Sequence, residues 1–159
     1  ATTFAPEGTM TRSMVVTVLY RLAGSPAVDG DCPFTDCKSG SFYYNAVIWA
    51  AENGITAGTS STTFAPDAEV TREQMATFLY RYAKMEGCDM NVSETASLNA
   101  YADAASVSGF ASKAMLWVVD NGIMNGATSN GKTVLAPQDS ATRAQVATIL
   151  MRFCENVAE

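Results

Sequence analysis

The chain has 159 residues, 48% of them hydrophobic, and carries 16 Asp and Glu against 10 Lys and Arg with no histidine, for a formal charge of −6. That suffices to bury one sizeable core, while the acidic balance argues against nucleic-acid or anionic-membrane binding, which need a broad positive field. Any anion must be held by local basic groups, and a chain with no histidine and no CxxC pair is expected to hold neither a metal nor another cofactor.

No apolar run approaches the roughly 20 residues of a membrane span, and Ala1-Thr2-Thr3-Phe4 lacks the basic and apolar regions of a signal peptide. A soluble mature fragment without membrane insertion is expected. Cys32, Cys37, Cys88 and Cys154 allow three pairings. Cys32 and Cys37 bracket Pro33-Phe34-Thr35-Asp36 and would serve as a loop staple in an oxidising compartment.

In chain order, Thr2-Thr3-Phe4-Ala5-Pro6 comes first, then Thr11-Arg12 and a helix with Val15, Val18, Leu19 and Leu22 on one face. Ala23 to Asp31 is a turn-rich joint. Phe34-Thr35-Asp36 leads to a buried helix starting at Ser41 and running to Glu52. There Asn53-Gly54-Ile55 offers a left-handed glycine and an apolar residue to fold back, as a helix end requires. A loop tightens at Gly58 and reaches Phe64-Ala65-Pro66 through a short extended stretch and a turn. Thr71 then caps a second helix, with Gln74 closing a capping box ahead of the stripe Met75, Phe78, Leu79, Tyr82.

Asp89 to Asn99 is a second joint. The pattern then returns: Tyr101-Ala102-Asp103, Trp117, Asn121-Gly122-Ile123, Gly126, Leu135-Ala136-Pro137, the box Thr142 and Gln145, and the stripe Val146, Ile149, Leu150, Phe153. Residues 1 to 24 match 61 to 84 without gaps, Phe4 meeting Phe64. Met14 replaces the box glutamine in the first copy, so only the threonine half of its cap survives. The organisation is a half-copy at 1–33 and full copies at 34–100 and 101–159. No such unit buries its apolar face alone, so the three stripes are expected to share one core.

Taken together, Phe34-Thr35-Asp36, Tyr43 to Ala50, Gly54-Ile55-Thr56-Ala57-Gly58, Thr63-Phe64-Ala65-Pro66 and Val70-Thr71-Arg72-Glu73-Gln74 strongly resemble the S-layer homology repeat, over essentially the whole chain. The resemblance implies a mostly all-α fold, a pseudo-threefold bundle of helix-loop-helix repeats with short extended loops, here with the first repeat truncated. It implies an extracellular place on a Gram-positive surface, where such domains hold secreted proteins non-covalently on the wall. The ligand it implies is an anionic cell-wall polysaccharide, a pyruvylated secondary polymer lying in grooves between repeats.

By resemblance, the carboxylate reader carries over to Arg12, Arg72 and Arg143, the aspartate of Phe-x-Asp to Asp36 and Asp103, and the loop glycines to Gly58 and Gly126. The neighbouring Thr71, Gln74, Thr142 and Gln145 join the candidate ligand-binding set. So do Phe42 and Phe110, which stand where the family often has a tryptophan. The missing first half of copy one leaves one groove incomplete unless that helix belongs to a longer chain of which this sequence is a piece, or a partner chain supplies it.

A physical argument runs alongside. An arginine at a helix start is disfavoured by about 0.3–1 kcal/mol, yet all three copies have one, which suits an anion held by free N–H groups and a guanidinium. Arg72 and Arg143 rank first on this ground. The alternative is that the arginines pair with Asp36 and Asp103, which as short polar residues either cap turns or touch sugar. Trp49, Trp117, Tyr20, Tyr80 and Met151 read as core, and Arg21, Arg81 and Arg152 as dipole-stabilising residues near helix ends.

The leading function is thus a non-catalytic wall anchor. The competitor is a protein interaction module using the groove left open by the truncated repeat, through self-association or helix complementation. A two-carboxylate glycosidase is weakest, because no acidic residue has a recurring setting that would raise its pKa.

Overall fold

The structure, a computed structural model, describes residues 5–158. Thr2-Thr3-Phe4 of the first-copy motif lies outside that range. The described chain is mostly helical: α1 (Arg12–Leu22), α2 (Tyr44–Glu52), α3 (Arg72–Met85), α4 (Ser112–Asp120), the two-stranded hairpin β1 (Ala127–Ser129) and β2 (Lys132–Val134), and α5 (Arg143–Asn156). Two short 3-10 turns, Ala104–Ser106 and Gly109–Ala111, precede α4.

Helix starts follow the capping chemistry. Thr71 accepts from Gln74 N–H while the Gln74 side chain accepts from Thr71 N–H, both at 3.2 Å, and Thr142 with Gln145 repeats the box. In α1 only Thr11 contributes, accepting from Met14 N–H at 3.3 Å. At α2, where a helix from Ser41 was expected, the first helical residue is Tyr44. Its N–H closes a turn on the Ser41 carbonyl, and Tyr43 offers no side-chain cap. Gly54 and Gly122 take positive φ, which lets the amides of Ile55 and Ile123 return to the carbonyls of Ala50 and Val118.

The extended stretches differ between copies. Asn130 and Gly131, both left-handed, turn the β1–β2 hairpin. The shorter loop after Gly58 has no strand and is closed by the hydroxyls of Thr59, Ser60 and Thr63.

Three residues just ahead of the second helices form a closed triangle. Met10 N–H donates to Ala141, Ala141 N–H to Val70, and Val70 N–H to Met10, at 3.0, 2.8 and 2.9 Å. Glu69 straddles it, accepting from the Thr9 and Ser140 hydroxyls. The half-copy is thereby tied to both full ones. Val15, Leu19, Met75, Leu79, Val146, Ile149 and Phe153 share one core with Trp49 and Trp117. Two positions read as core depart from this: Leu22 is 45% and Met151 52% exposed. All four cysteines are free thiols; burial, then the neighbouring Cys32 and Asp36, push the Cys37 thiol up to about 12.

Candidate functional site

Two of the second-helix arginines, Arg12 and Arg72, reach across to the loop of the next copy. Arg12 Nε donates to the Phe64 carbonyl at 2.8 Å, and Arg72 Nε to that of Leu135 at 2.7 Å. The Arg12 guanidinium also lies over the Phe64 ring at 4.8 Å and the Phe78 ring at 5.2 Å. Both side chains are buried, and that burial weakens their charged forms; Asp36 offsets it for Arg12, Asp139 and Asp103 for Arg72. Arg72 spends one Nη on the Asn125 carbonyl at 3.0 Å. Both Nη groups of Arg12 hydrogen-bond to no described residue, and because no buried side-chain polar atom among the described residues is left unpartnered, they reach solvent in the groove.

The helix-start amides are not free, contrary to the argument from sequence. Arg12 and Ser13 N–H donate to the carbonyls of Ala68 and Pro66, Arg72 and Glu73 to Asp139 and Pro137, and Arg143 and Ala144 to Gly8 and Pro6. The next copy's Pro turn folds under each helix and satisfies these groups. What each corner offers an anion is therefore the guanidinium alone.

Asp36 and Asp103 clamp the same loops. Asp36 accepts from Phe64 N–H at 2.9 Å and Ala65 N–H at 2.7 Å; Asp103 accepts from Leu135 and Ala136 N–H, both at 2.7 Å. Ala65 and Ala136 are left-handed, a conformation costly for alanine and imposed by the clamp. Burial raises the Asp36 pKa, but the amides of Phe64 and Ala65 outweigh it and the net shift is downward.

The glycines are where backbone must pass close. A Cβ on Gly58 would sit 2.4 Å from the Thr63 carbonyl and 2.5 Å from the Phe34 ring; on Gly126, 2.6 Å from the Tyr101 ring. These packed loops wall two hollows of about 320 Å³ each, one holding Arg12, Gly58, Gln74 and Phe110, the other Arg72, Gly126 and Gln145. Phe42 and Phe110 are 63% and 60% exposed, each at a groove mouth. Arg143, half-buried, lines a third and more apolar groove with Met10, Met14 and Phe42.

Two features escaped the sequence reading. Arg21, Arg81 and Arg152 each line one of the three grooves; Arg21 lies in the last turn of its helix, as the dipole reading expects, but Arg81 and Arg152 do not, so dipole stabilisation does not account for those two. Their recurrence at one repeat position was the available signal. Glu73 is buried and accepts from Ser108 N–H and Oγ, fixing α3 to the turn before α4. Nothing in its exposed-looking sequence context marks that partner.

The family model of the S-layer homology domain matches residues 33–76 and 100–147, more than half of the chain. The surface-layer 125 kDa protein of Lysinibacillus sphaericus is 34% identical over 97% of this chain. An amylopullulanase of Thermoanaerobacterium thermosulfurigenes and the exoglucanase XynX of Acetivibrio thermocellus are 30% and 29% identical over the same share. The chain spans only 12%, 8% and 14% of those three proteins. Among solved structures, an undecaheme cytochrome from the S-layer of Carboxydothermus ferrireducens aligns with 93% of this chain and 21% of its own, at 23% identity and a TM-score of 0.46. By the family match, which takes in both aspartate-clamped loops, the chain belongs to the S-layer homology family, a cell-surface anchoring module that is not itself catalytic.

Proposed function

We propose that the chain holds a larger secreted protein on the cell wall by binding a pyruvylated secondary polymer in the grooves between repeats at 1–33, 34–100 and 101–159. The observation that supports this is the Arg12 fork. Its Nε is fixed on Phe64, its guanidinium lies over the Phe64 and Phe78 rings, and both Nη groups remain for a carboxylate. Arg72 keeps one Nη for the same purpose, so the geometry favours Arg12 over Arg72 as the main contact. In this reading Asp36, Asp103 and the capping boxes position the groove walls, Gly58 and Gly126 allow close approach, and Phe110 and Phe42 offer ring faces to sugar.

The test is a calorimetric titration with a purified pyruvylated wall fragment beside the same fragment after hydrolysis of the ketal. Binding confined to the pyruvylated form is expected. Equal binding to both, or to neither by folded protein, would sink the reading.

A second reading has its own observation. Tyr20 packs on Trp49 and Tyr80 on Trp117, whereas Met151, their counterpart on α5, is exposed, as is Ala147, the counterpart of buried Val16 and Ala76. An added helix on this face would make the chain an interaction module. Sedimentation that shows concentration-dependent assembly abolished by Met151→Glu would support it; a monomer at all concentrations would count against self-association.

A further inference from the structure

We infer that the groove between α3 and α4 extends the Arg12 corner into a second anionic subsite, so that the preferred ligand is a longer glycan bearing a further carboxylate along its chain. This rests on the glycan reading above.

The Arg12 hollow does not end at Phe110. It shares Thr77, Arg81 and Phe110 with a larger groove of about 620 Å³, so the space beside Arg12 runs on past the hollow that holds its guanidinium. Arg81, Lys84 and Lys113 line the larger part. With Arg12, four of the chain's ten basic residues border one continuous groove that no acidic residue among the described residues lines, in a protein of charge −6.

The repeat does not require this charge. At the position of Lys84 the other copies have Gly24 and Glu155, and at that of Lys113 the α2 counterpart is Asn45. Among the described residues, only the groove that runs on from the Arg12 corner carries the strip. Lys84 sits in the last turn of α3, where a cation is favoured anyway. Lys113 sits in the first turn of α4, where it is disfavoured, and the residue four positions on is Trp117 rather than an acid. An incoming anion explains its place.

The strip is also graded in stiffness. Arg81 is half-buried and held by an Nη1 hydrogen bond to the Ile55 carbonyl at 3.3 Å, whereas Lys84 and Lys113 are exposed. Arg81 would orient the chain where it leaves the Arg12 corner. The lysines act as point charges that follow a carboxylate of variable reach. Phe110 stands at the junction with its ring open to a sugar face.

The test compares the parent chain with the double variant K84Q/K113Q, both checked for fold by circular dichroism. The probes are two purified pyruvylated wall fragments, a disaccharide with one ketal and a tetrasaccharide with two. The parent is expected to bind the tetrasaccharide on the order of tenfold more tightly, and the variant to lose that gain while keeping disaccharide affinity. A variant with the parent's tetrasaccharide affinity, or a parent with no preference, overturns the subsite and leaves the anchor reading standing. A folded parent that binds neither fragment overturns both.

Discussion

Arg72 donates its Nε–H to the carbonyl of Leu135 at 2.7 Å, 63 positions along the chain, as Arg12 does to Phe64 at 2.8 Å across 52. Both bonds join the second helix of one copy to the loop of the next. The arginine proposed to read the ligand is therefore also a structural tie, and the two roles separate by experiment.

Arg12→Lys keeps a cation but loses the fixed Nε bond and the planar contact with Phe64 and Phe78. It is expected to cost about 1–3 kcal/mol of stability. Urea unfolding of the variant measures the tie, and titration with the pyruvylated fragment under conditions where it stays folded measures the reading role.

Asp36→Ala and Asp103→Ala each leave two loop amides without their acceptor and release a left-handed alanine. Each is expected to cost about 1–3 kcal/mol, read as a lower urea midpoint with an unchanged slope. The two losses should be of similar size, since each carboxylate accepts from the two amides at the same repeat positions, at 2.7–2.9 Å.

Gly58→Ala meets backbone carbonyls of Thr63 and Ser60 as well as the Phe34 ring, and does so at φ +79. Gly126→Ala meets Tyr101, Val134 and Thr133 at an ordinary φ. Both destabilise, Gly58→Ala more, by upwards of about 2 kcal/mol. Thermal melts of the two variants side by side test the order.

Asp36, Glu69 and Asp120 have pKa values below the ordinary carboxylate range: in Glu69 by the Ser140 and Thr9 hydroxyls, in Asp120 by Ser93, and in Asp36 by loop amides that overcome its burial. A depressed folded pKa contributes stability that is present above the unfolded value, about 4, and lost as pH falls through the folded values. The melting temperature should be level near pH 6 and fall below about pH 4. Asp36→Asn should flatten that fall.

Cys154 is exposed, whereas Cys37 is half-buried with its thiol pushed up to about 12. Iodoacetamide at pH 8 should label Cys154 first and Cys37 last, since the thiolate is the reactive form. Peptide mapping after timed quenching shows the order.

The repeat, both capping boxes, the glycine-led returns of Ile55 and Ile123 and the burial of Trp49 and Trp117 were all legible in the sequence. Each depends on residues within one turn of helix or on a self-match along the chain. What determines them is local, so linear spacing carries the information.

The triangle of Met10, Val70 and Ala141, the use of helix-start amides by the next copy's Pro turn, the Glu73 to Ser108 contact and the merging of the Arg12 and Arg81 hollows were decided only by the tertiary structure. Each joins residues 35 or more positions apart through backbone groups or a shared surface. Backbone amides and carbonyls are the same at every position, so no side-chain pattern announces which of them will meet.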